Sequence, residues 1–166
     1  RPDAVKAVIS QNGNAYVEGF GTDAWAPVTA YWSSGTDADR ERVRSVLLTY
    51  DFTKFQYEHG TPADRLSQIV PETYTLDWAL MNIFKDYETN VALYPKFQEF
   101  FRQSKVPILV TWGKNDIIFV YPGAEAYKQD SPHVELHALD AGHFAVETHS
   151  AEIAELILAF FDKYHY

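Results

Sequence analysis

The alternation of apolar and polar positions along the chain predicts three β-strands. Residues Val134–Leu139 alternate apolar with polar side chains, which is the period of a half-buried strand. Val106–Trp112 is a nearly continuous apolar run, typical of a parallel strand that is covered on both faces. A shorter β-rich run, Val5–Ser10, is followed by turn-forming residues at positions 11–14. We expect these three runs to form one sheet.

Apolar residues at helical spacing fill most of the remaining sequence. The first candidate helix has Thr36 or Asp37 as its N-cap. A later one has threonine and proline at its start, where the missing N–H of proline costs nothing. The predicted helices are Asp39–Thr49, one that begins at Thr61-Pro62, Leu76–Phe84, Lys96–Gln103, Pro122–Asp130 and Ser150–Tyr164. From residue 106 onward strand and helix alternate, which predicts an α/β fold with parallel strands.

Composition and charge narrow the class of protein. The chain has 166 residues, of which 46% are hydrophobic, so it is long enough to bury one core. Its formal charge of −9 argues against nucleic-acid binding, which depends on clustered Lys and Arg. There is no cysteine, and none of the six histidines has a metal-binding spacing, so we expect no metal or other cofactor.

The sequence also gives expectations about where the protein is found in the cell and whether the chain is part of a longer protein. No apolar run approaches the about 18 to 20 residues that span a bilayer, so we expect no membrane segment. Acidity and the absence of cysteine favour the cytoplasm. The chain begins without methionine and soon reaches strand-like sequence, which indicates part of a longer protein.

Two side chains with acid–base chemistry follow the second and third predicted strands. Asp116 and His143 should lie at the same edge of a parallel sheet, where a carboxylate can orient an imidazole. Asp140 and Glu147 flank His143, but a residue so near on a tight loop is less able to reach the far ring nitrogen. The residue types leave a second interpretation equally open, in which Asp116 is a cap and His143 is an ordinary buried histidine.

The chain resembles the α/β-hydrolase superfamily, and more closely its epoxide hydrolase and haloalkane dehalogenase branch. The matching parts are residues 5–14, 106–116 and 140–144 and the final helix. The resemblance implies that Asp116 and His143 are the acid and base of a nucleophile–acid–histidine triad. It also implies that the chain forms the C-terminal part of that fold. Residues 1–15 and 104–166 would be core, and residues 16–103 would be a helical cap.

The chain departs from the family pattern at the nucleophile. No G-x-S-x-G or G-x-D-x-G sequence is present, and the segment 33–35 (Ser-Ser-Gly) is better explained as a loop or helix cap. The resemblance places the nucleophile upstream of Arg1. Near Asn82-Ile83 similar proteins have a longer connection, so either the cap is short or residues are absent there.

The implied function is hydrolysis of an epoxide, a haloalkane or an ester, with aspartate favoured over serine as nucleophile. In such enzymes cap tyrosines protonate the leaving oxygen, and Trp or Asn binds halide. A single cap aromatic nevertheless packs more often than it catalyses. The candidate proton donors and substrate-binding residues are Asn12, Trp25, Tyr31, Trp32, Tyr57, Tyr74 and Tyr87.

The expected partner is a small apolar organic substrate. The first strand would also have an unpaired edge, which favours self-association or pairing with a missing N-terminal half. The alternative function is therefore a non-catalytic fragment that associates through this strand.

Overall fold

Three parallel strands form one sheet in the order β1-β2-β3. The computed structural model describes residues 2–66 and 80–165, with the strands β1 (Val8–Gln11), β2 (Ile108–Gly113) and β3 (Val134–Leu139). The prediction of three parallel strands is confirmed, and every residue of β2 is buried, as its apolar run indicated. The first strand begins later than predicted because Pro107 has no N–H to extend the ladder, which starts at the Val8–Ile108 pair.

Eight α-helices are described in addition to 3₁₀ turns at Pro2–Ala4 and Val17–Gly19. Between β1 and β2 they are α1 (Thr22–Ser34), α2 (Asp37–Leu47), α3 (Tyr50–Glu58), α4 (Ala63–Leu66) and α5 (Leu80–Gln103). The others are α6 (Pro122–Asp130), between β2 and β3, then α7 (Ala145–Thr148) and α8 (Ser150–Tyr164). The predicted bounds of α6 and α8 are confirmed.

The helices before β2 differ most from the prediction. The predicted helix at Lys96–Gln103 is the end of the longer α5, which continues through Pro95. Tertiary packing outweighs the proline here, since the neighbouring Tyr94 is buried. Part of the helix predicted at Leu76–Phe84 lies outside the described residues. Helices α1 and α3 were not predicted.

Helix caps agree better with the sequence. Thr36 is the N-cap of α2, where its Oγ1 accepts a hydrogen bond from the backbone N of Asp39 at 3.2 Å. Gly35 ends α1 with φ 63°, a left-handed conformation that favours glycine. The segment 33–35 is therefore a helix end, as predicted.

Buried clusters connect the loop after β2 to the preceding helices. One face of β2 packs against α6. A separate cluster of side chains from the helical segment (residues 16–103) includes Ile118 from the loop after β2. That cluster consists of Trp25, Val28, Val43, Leu47 and Ile118. The loop that carries Asp116 is thus fixed by helices that precede it in sequence. Whether the helical segment is a separate cap domain stays a prediction.

In the described ranges, no helix is both long and apolar enough to cross a membrane. The cytoplasmic location stays a prediction.

Candidate active site

Asp116 and His143 contact each other directly at the carboxyl edge of the sheet. His143 Nδ1 donates a hydrogen bond to Asp116 Oδ2 at 2.9 Å. Asp116 follows β2 and His143 follows β3, so the parallel pairing of the two strands brings the side chains together across 27 residues of sequence. The Asp116 side chain is fully buried, whereas the His143 side chain is 19% exposed.

The Asp116 carboxylate accepts four hydrogen bonds. Its Oδ1 accepts from the backbone N of Ile118 at 2.7 Å and of Phe119 at 3.0 Å. Its Oδ2 accepts from Asn12 Nδ2 at 2.7 Å and from the ring of His143. These donors fix the plane of the carboxylate, and they satisfy the acceptors of a group that is costly to bury unpaired.

The imidazole of His143 lies between two phenylalanine rings. Its centroid is 5.7 Å from that of Phe119 and 4.9 Å from that of Phe144, which it meets edge to face. Because Nδ1 donates to Asp116, Nε2 is the nitrogen that can accept a proton. Nε2 has no hydrogen-bond partner in residues 2–66 and 80–165. The arrangement can therefore act as a general base toward a group on that side.

Asn12 supports the Asp116 carboxylate. It lies at the end of β1 with φ 47°, and Oδ1 accepts from the buried backbone N of Gly113 at 3.1 Å. Nδ2 donates to Asp116 and to the carbonyl oxygen of Gly142 at 3.5 Å. Asp116 and Gly142 lie in the loops that carry the acid and the base, and Gly113 ends β2 directly before the first of these loops. One N–H of the amide is thus bonded to Asp116 and the other points to Gly142, and the halide or substrate contact suggested from sequence stays a prediction.

The two tryptophans predicted to bind substrate are also bonded internally. Trp25 Nε1 donates to the carbonyl of Ile118, and Trp32 Nε1 donates to the carbonyl of Phe84, each at 2.8 Å. Neither indole N–H is left to hold a halide. Tyr31 is half-buried, and Lys85 Nζ lies 5.3 Å above its ring.

Tyr87 belongs to a partly buried pair of hydroxyl groups. Its hydroxyl is 2.9 Å from that of Tyr94, which also accepts from Asn14 Nδ2 at 3.4 Å. Burial raises the pKa of both Tyr87 and Tyr94 above the ordinary tyrosine value, so both stay protonated at neutral pH. The Tyr87 ring centroid is 6.0 Å from that of Phe119, which also contacts the histidine.

Among the remaining candidates, Asp140, Glu147 and Tyr57 have other hydrogen-bond or ion-pair partners. Asp140 is exposed and pairs with Lys114 Nζ at 3.1 Å, and Glu147 accepts from the Tyr57 hydroxyl at 3.1 Å. Of the three carboxylates considered from sequence, only Asp116 contacts His143. Tyr74 lies outside the described residues.

A cavity of about 440 Å³ borders the loop of Asp116. Its walls come mainly from apolar side chains of helices α1 to α3 and of the loop after β2. They include Ala24, Val46, Leu47, Phe52, Phe55, Ile117 and Val120. In the part of the chain that the structure describes, no three His, Asp or Glu side chains are arranged to hold a metal ion.

Comparison with known proteins gives the family of this fold. Residues 1–150 match the model of the alpha/beta hydrolase fold family. This chain belongs to that family. An uncharacterized hydrolase from Saccharomyces cerevisiae is 40% identical to it over 173 residues, covering 96% of this chain and 59% of the yeast protein. The chain therefore spans about three fifths of the length of that relative.

Solved structures of the family are similar in fold. Potato (Solanum tuberosum) epoxide hydrolase I has a TM-score of 0.62 at 20% identity, over 98% of this chain and 64% of the potato enzyme. A putative lipase from Acinetobacter baumannii has a TM-score of 0.57 at 14% identity, over 98% of this chain and 54% of the lipase. At these identities the likeness shows the fold alone.

Proposed function

We propose that this chain supplies the acid and the base of an α/β-hydrolase, with His143 as general base and Asp116 as the acid that orients it. The observation that carries the proposal is the 2.9 Å bond from His143 Nδ1 to a buried Asp116 carboxylate, with Nε2 left without a partner among the described residues. Family membership supports it, because a nucleophile–acid–histidine triad is the arrangement that the family resemblance implies.

The proposed reaction has two steps. A carboxylate nucleophile, supplied from outside these 166 residues, attacks a substrate carbon, breaks its bond to oxygen or halogen and forms an alkyl-enzyme ester. His143 Nε2 then takes a proton from water, and the resulting hydroxide attacks the ester carbonyl. Asp116 stabilises the imidazolium until its proton returns to the group that protonated the leaving oxygen or, when halide leaves, passes to solvent. The ester bond breaks, releasing the alcohol or diol and restoring the carboxylate.

The proposed substrate is a small apolar epoxide. The apolar cavity of about 440 Å³ beside the Asp116 loop is of a size that suits a small organic molecule. For an epoxide, the oxygen that leaves carbon needs a proton. The proposed donor is the hydroxyl pair of Tyr87 and Tyr94, which does not line this cavity but whose Tyr87 ring lies 6.0 Å from that of Phe119, beside the histidine. A haloalkane is less suitable, because both nearby indole N–H groups are bonded internally.

A chimera tests this function, with residues 1–166 replacing the matched segment of the yeast hydrolase. Turnover of an aryl epoxide, a haloalkane and an aryl ester is measured for the chimera and its His143→Gln variant. We expect His143→Gln to reduce epoxide turnover by on the order of 10² to 10⁴-fold, the usual contribution of a general base. His133→Gln, at an exposed histidine, is the matched control. Equal turnover in His143→Gln and His133→Gln would overturn the proposal.

A second function, association through β1, has its own observation. Among the described residues β1 pairs only with β2, so its other edge has free backbone groups. We propose pairing of this edge with a second copy of the chain. In sedimentation of the 166-residue chain, Val8→Lys should lower the associated fraction. A monomeric wild-type chain at all concentrations would contradict this.

A further inference from the structure

The end of α3 and the turn that follows it, together residues 57–61, contact both loops that carry the acid and the base. We propose that this turn positions the Asp116–His143 pair, with Tyr57 and Asn115 as positioning residues. The catalytic meaning of this inference rests on the proposed function, but the geometry of the Asp116–His143 pair can be measured without turnover. The helical segment would thereby set the geometry of the base as well as contribute a cavity wall.

Asn115 joins the turn to the two loops with one side chain. Its Nδ2 donates to the carbonyl of Gly60 at 2.9 Å and to Asp140 Oδ1 at 3.2 Å. Its backbone N donates to the carbonyl of Ala141 at 3.1 Å. Asn115 directly precedes Asp116, so a displacement of Asn115 moves the backbone of the acid.

Tyr57 holds the loop of the base from the other side. Its ring stacks on that of Phe144, with centroids 3.9 Å apart and planes 14° apart, and its hydroxyl donates to Glu147. Phe144 in turn contacts the edge of His143. Tyr57 is 7% exposed, so its ring has little freedom to move away from the half-buried Phe144. The position of His143 is thus limited by a ring from the helical segment.

Two glycines allow the turn to approach the loops this closely. A Cβ atom at Gly142 would clash with the carbonyl oxygen of His59. At Gly60, which has φ 75°, a Cβ atom would clash with the Cβ of Asn115. Thr61 closes the turn, because its Oγ1 donates to the carbonyl of Tyr57 at 2.9 Å. The turn and the loops are therefore in direct backbone contact.

A turn that only stabilises the fold and a turn that positions the base differ in a measurable way. In a positioned pair, His143 is held as a single tautomer with the proton on Nδ1. If the turn positions it, loosening the turn mixes the two tautomers in chains that are still folded. If the turn only packs, the variants lower stability, but the tautomer of His143 does not change.

The experiment is ¹⁵N NMR of histidine-labelled 166-residue chain, with His143→Gln assigning the resonances. We expect Nδ1–H and unprotonated Nε2 for His143 in the wild type, and averaged shifts of both nitrogens in Asn115→Ala and Tyr57→Ala. Tyr57→Phe keeps the stack and should keep the wild-type shifts. Gln98→Ala is the matched control, since Gln98 Nε2 also ties the helical segment to a backbone carbonyl, that of Ala15 at 2.8 Å. Circular dichroism checks folding, and the isosteric Asn115→Asp replaces Asn115→Ala if the latter does not fold.

Kinetics of the same variants in the yeast chimera separate this inference from the proposed function. We expect Asn115→Ala and Tyr57→Ala to lower kcat 10- to 100-fold with KM changed less than twofold, because the base is displaced while the apolar cavity is kept. Unchanged His143 shifts in folded Asn115 and Tyr57 variants, or equal changes in Gln98→Ala, would overturn the positioning role. If the shifts respond but no chimera turns over, the positioning role stands and the hydrolase proposal fails.

Discussion

Replacement of Asn12 by alanine should weaken the fold as well as the site. The change removes the donor to Asp116 Oδ2 and leaves the buried backbone N–H of Gly113 without its partner. A hydrogen bond to a charged group contributes about 1.5 to 3 kcal/mol, and an unsatisfied buried donor costs about 1 to 3 kcal/mol. Alanine at φ 47° adds about 1 kcal/mol of backbone strain. Allowing for overlap between these effects, we expect the free energy of unfolding to fall by about 3 to 5 kcal/mol.

The assay is urea denaturation followed by the fluorescence of the four tryptophans, with linear extrapolation to water. Asn12→Gly is the matched variant, because it loses the same hydrogen bonds but has no strain at positive φ. It should therefore be more stable than Asn12→Ala by about 1 kcal/mol. A loss below about 1 kcal/mol for Asn12→Ala would refute the view that Asn12 supports the carboxylate and the Gly113 amide.

Three further predictions concern the acid, a helix cap and a surface ion pair. Asp116→Asn in the chimera should lower epoxide turnover by on the order of 10⁴-fold, the loss that a wrong histidine tautomer causes in a Ser-His-Asp triad; a loss below tenfold would contradict it. Thr36→Ala should lower the free energy of unfolding by about 1 kcal/mol in urea titrations, because it removes the N-cap of α2, and an unchanged midpoint would show that the cap is not needed. The hydrogen bond from Lys163 holds the pKa of Glu135 below its usual range, so the stabilisation is present above the ordinary glutamate pKa and is lost as pH falls through the lowered value. Lys163→Met should thus be less stable than wild type near pH 7 and equally stable once Glu135 is protonated, whereas an equal difference at both pH values would contradict the assignment.

The sequence was sufficient to predict the site residues that directly follow strands with a clear apolar pattern. The apolar run before Gly113 and the alternating run before Asp140 located β2 and β3, and parallel pairing then brought Asp116 to His143. The helix from Pro122 was equally clear, because proline at its start and a polar loop at its end define both bounds. These are local signals, and they were enough to identify two of the side chains that meet at the sheet edge.

The supporting contacts could not be predicted, because they join residues far apart in sequence. Asn12 reaches Gly113 and Asp116, about a hundred positions away, and nothing near it in sequence indicates that its amide is used there. Its residue type suggested a ligand contact, whereas in the structure its amide bonds to Asp116, Gly113 and Gly142. The same holds for the indole of Trp25, whose N–H is bonded to the carbonyl of Ile118.

The helical segment was hardest to predict for a related reason. Helix α1 contains Pro27, and α3 has polar residues throughout, so neither shows a simple apolar stripe. Trp25 of α1 is buried against the loop after β2, and Tyr57 of α3 is buried against Phe144 in the loop after β3. The helix start predicted at Thr61-Pro62 gave no sign that the segment 57–61 lies against both site loops.

The most direct test of His143 as the base is mass spectrometry of the yeast chimera that carries His143→Gln, after mixing with an aryl epoxide. If His143 activates water against an alkyl-enzyme ester, the first step proceeds without it and the second stops. One substrate molecule should then accumulate on each enzyme, with multiple turnover lost, while His133→Gln turns over without a stable adduct. Continued multiple turnover by His143→Gln with no adduct would contradict the assignment of His143 as the base.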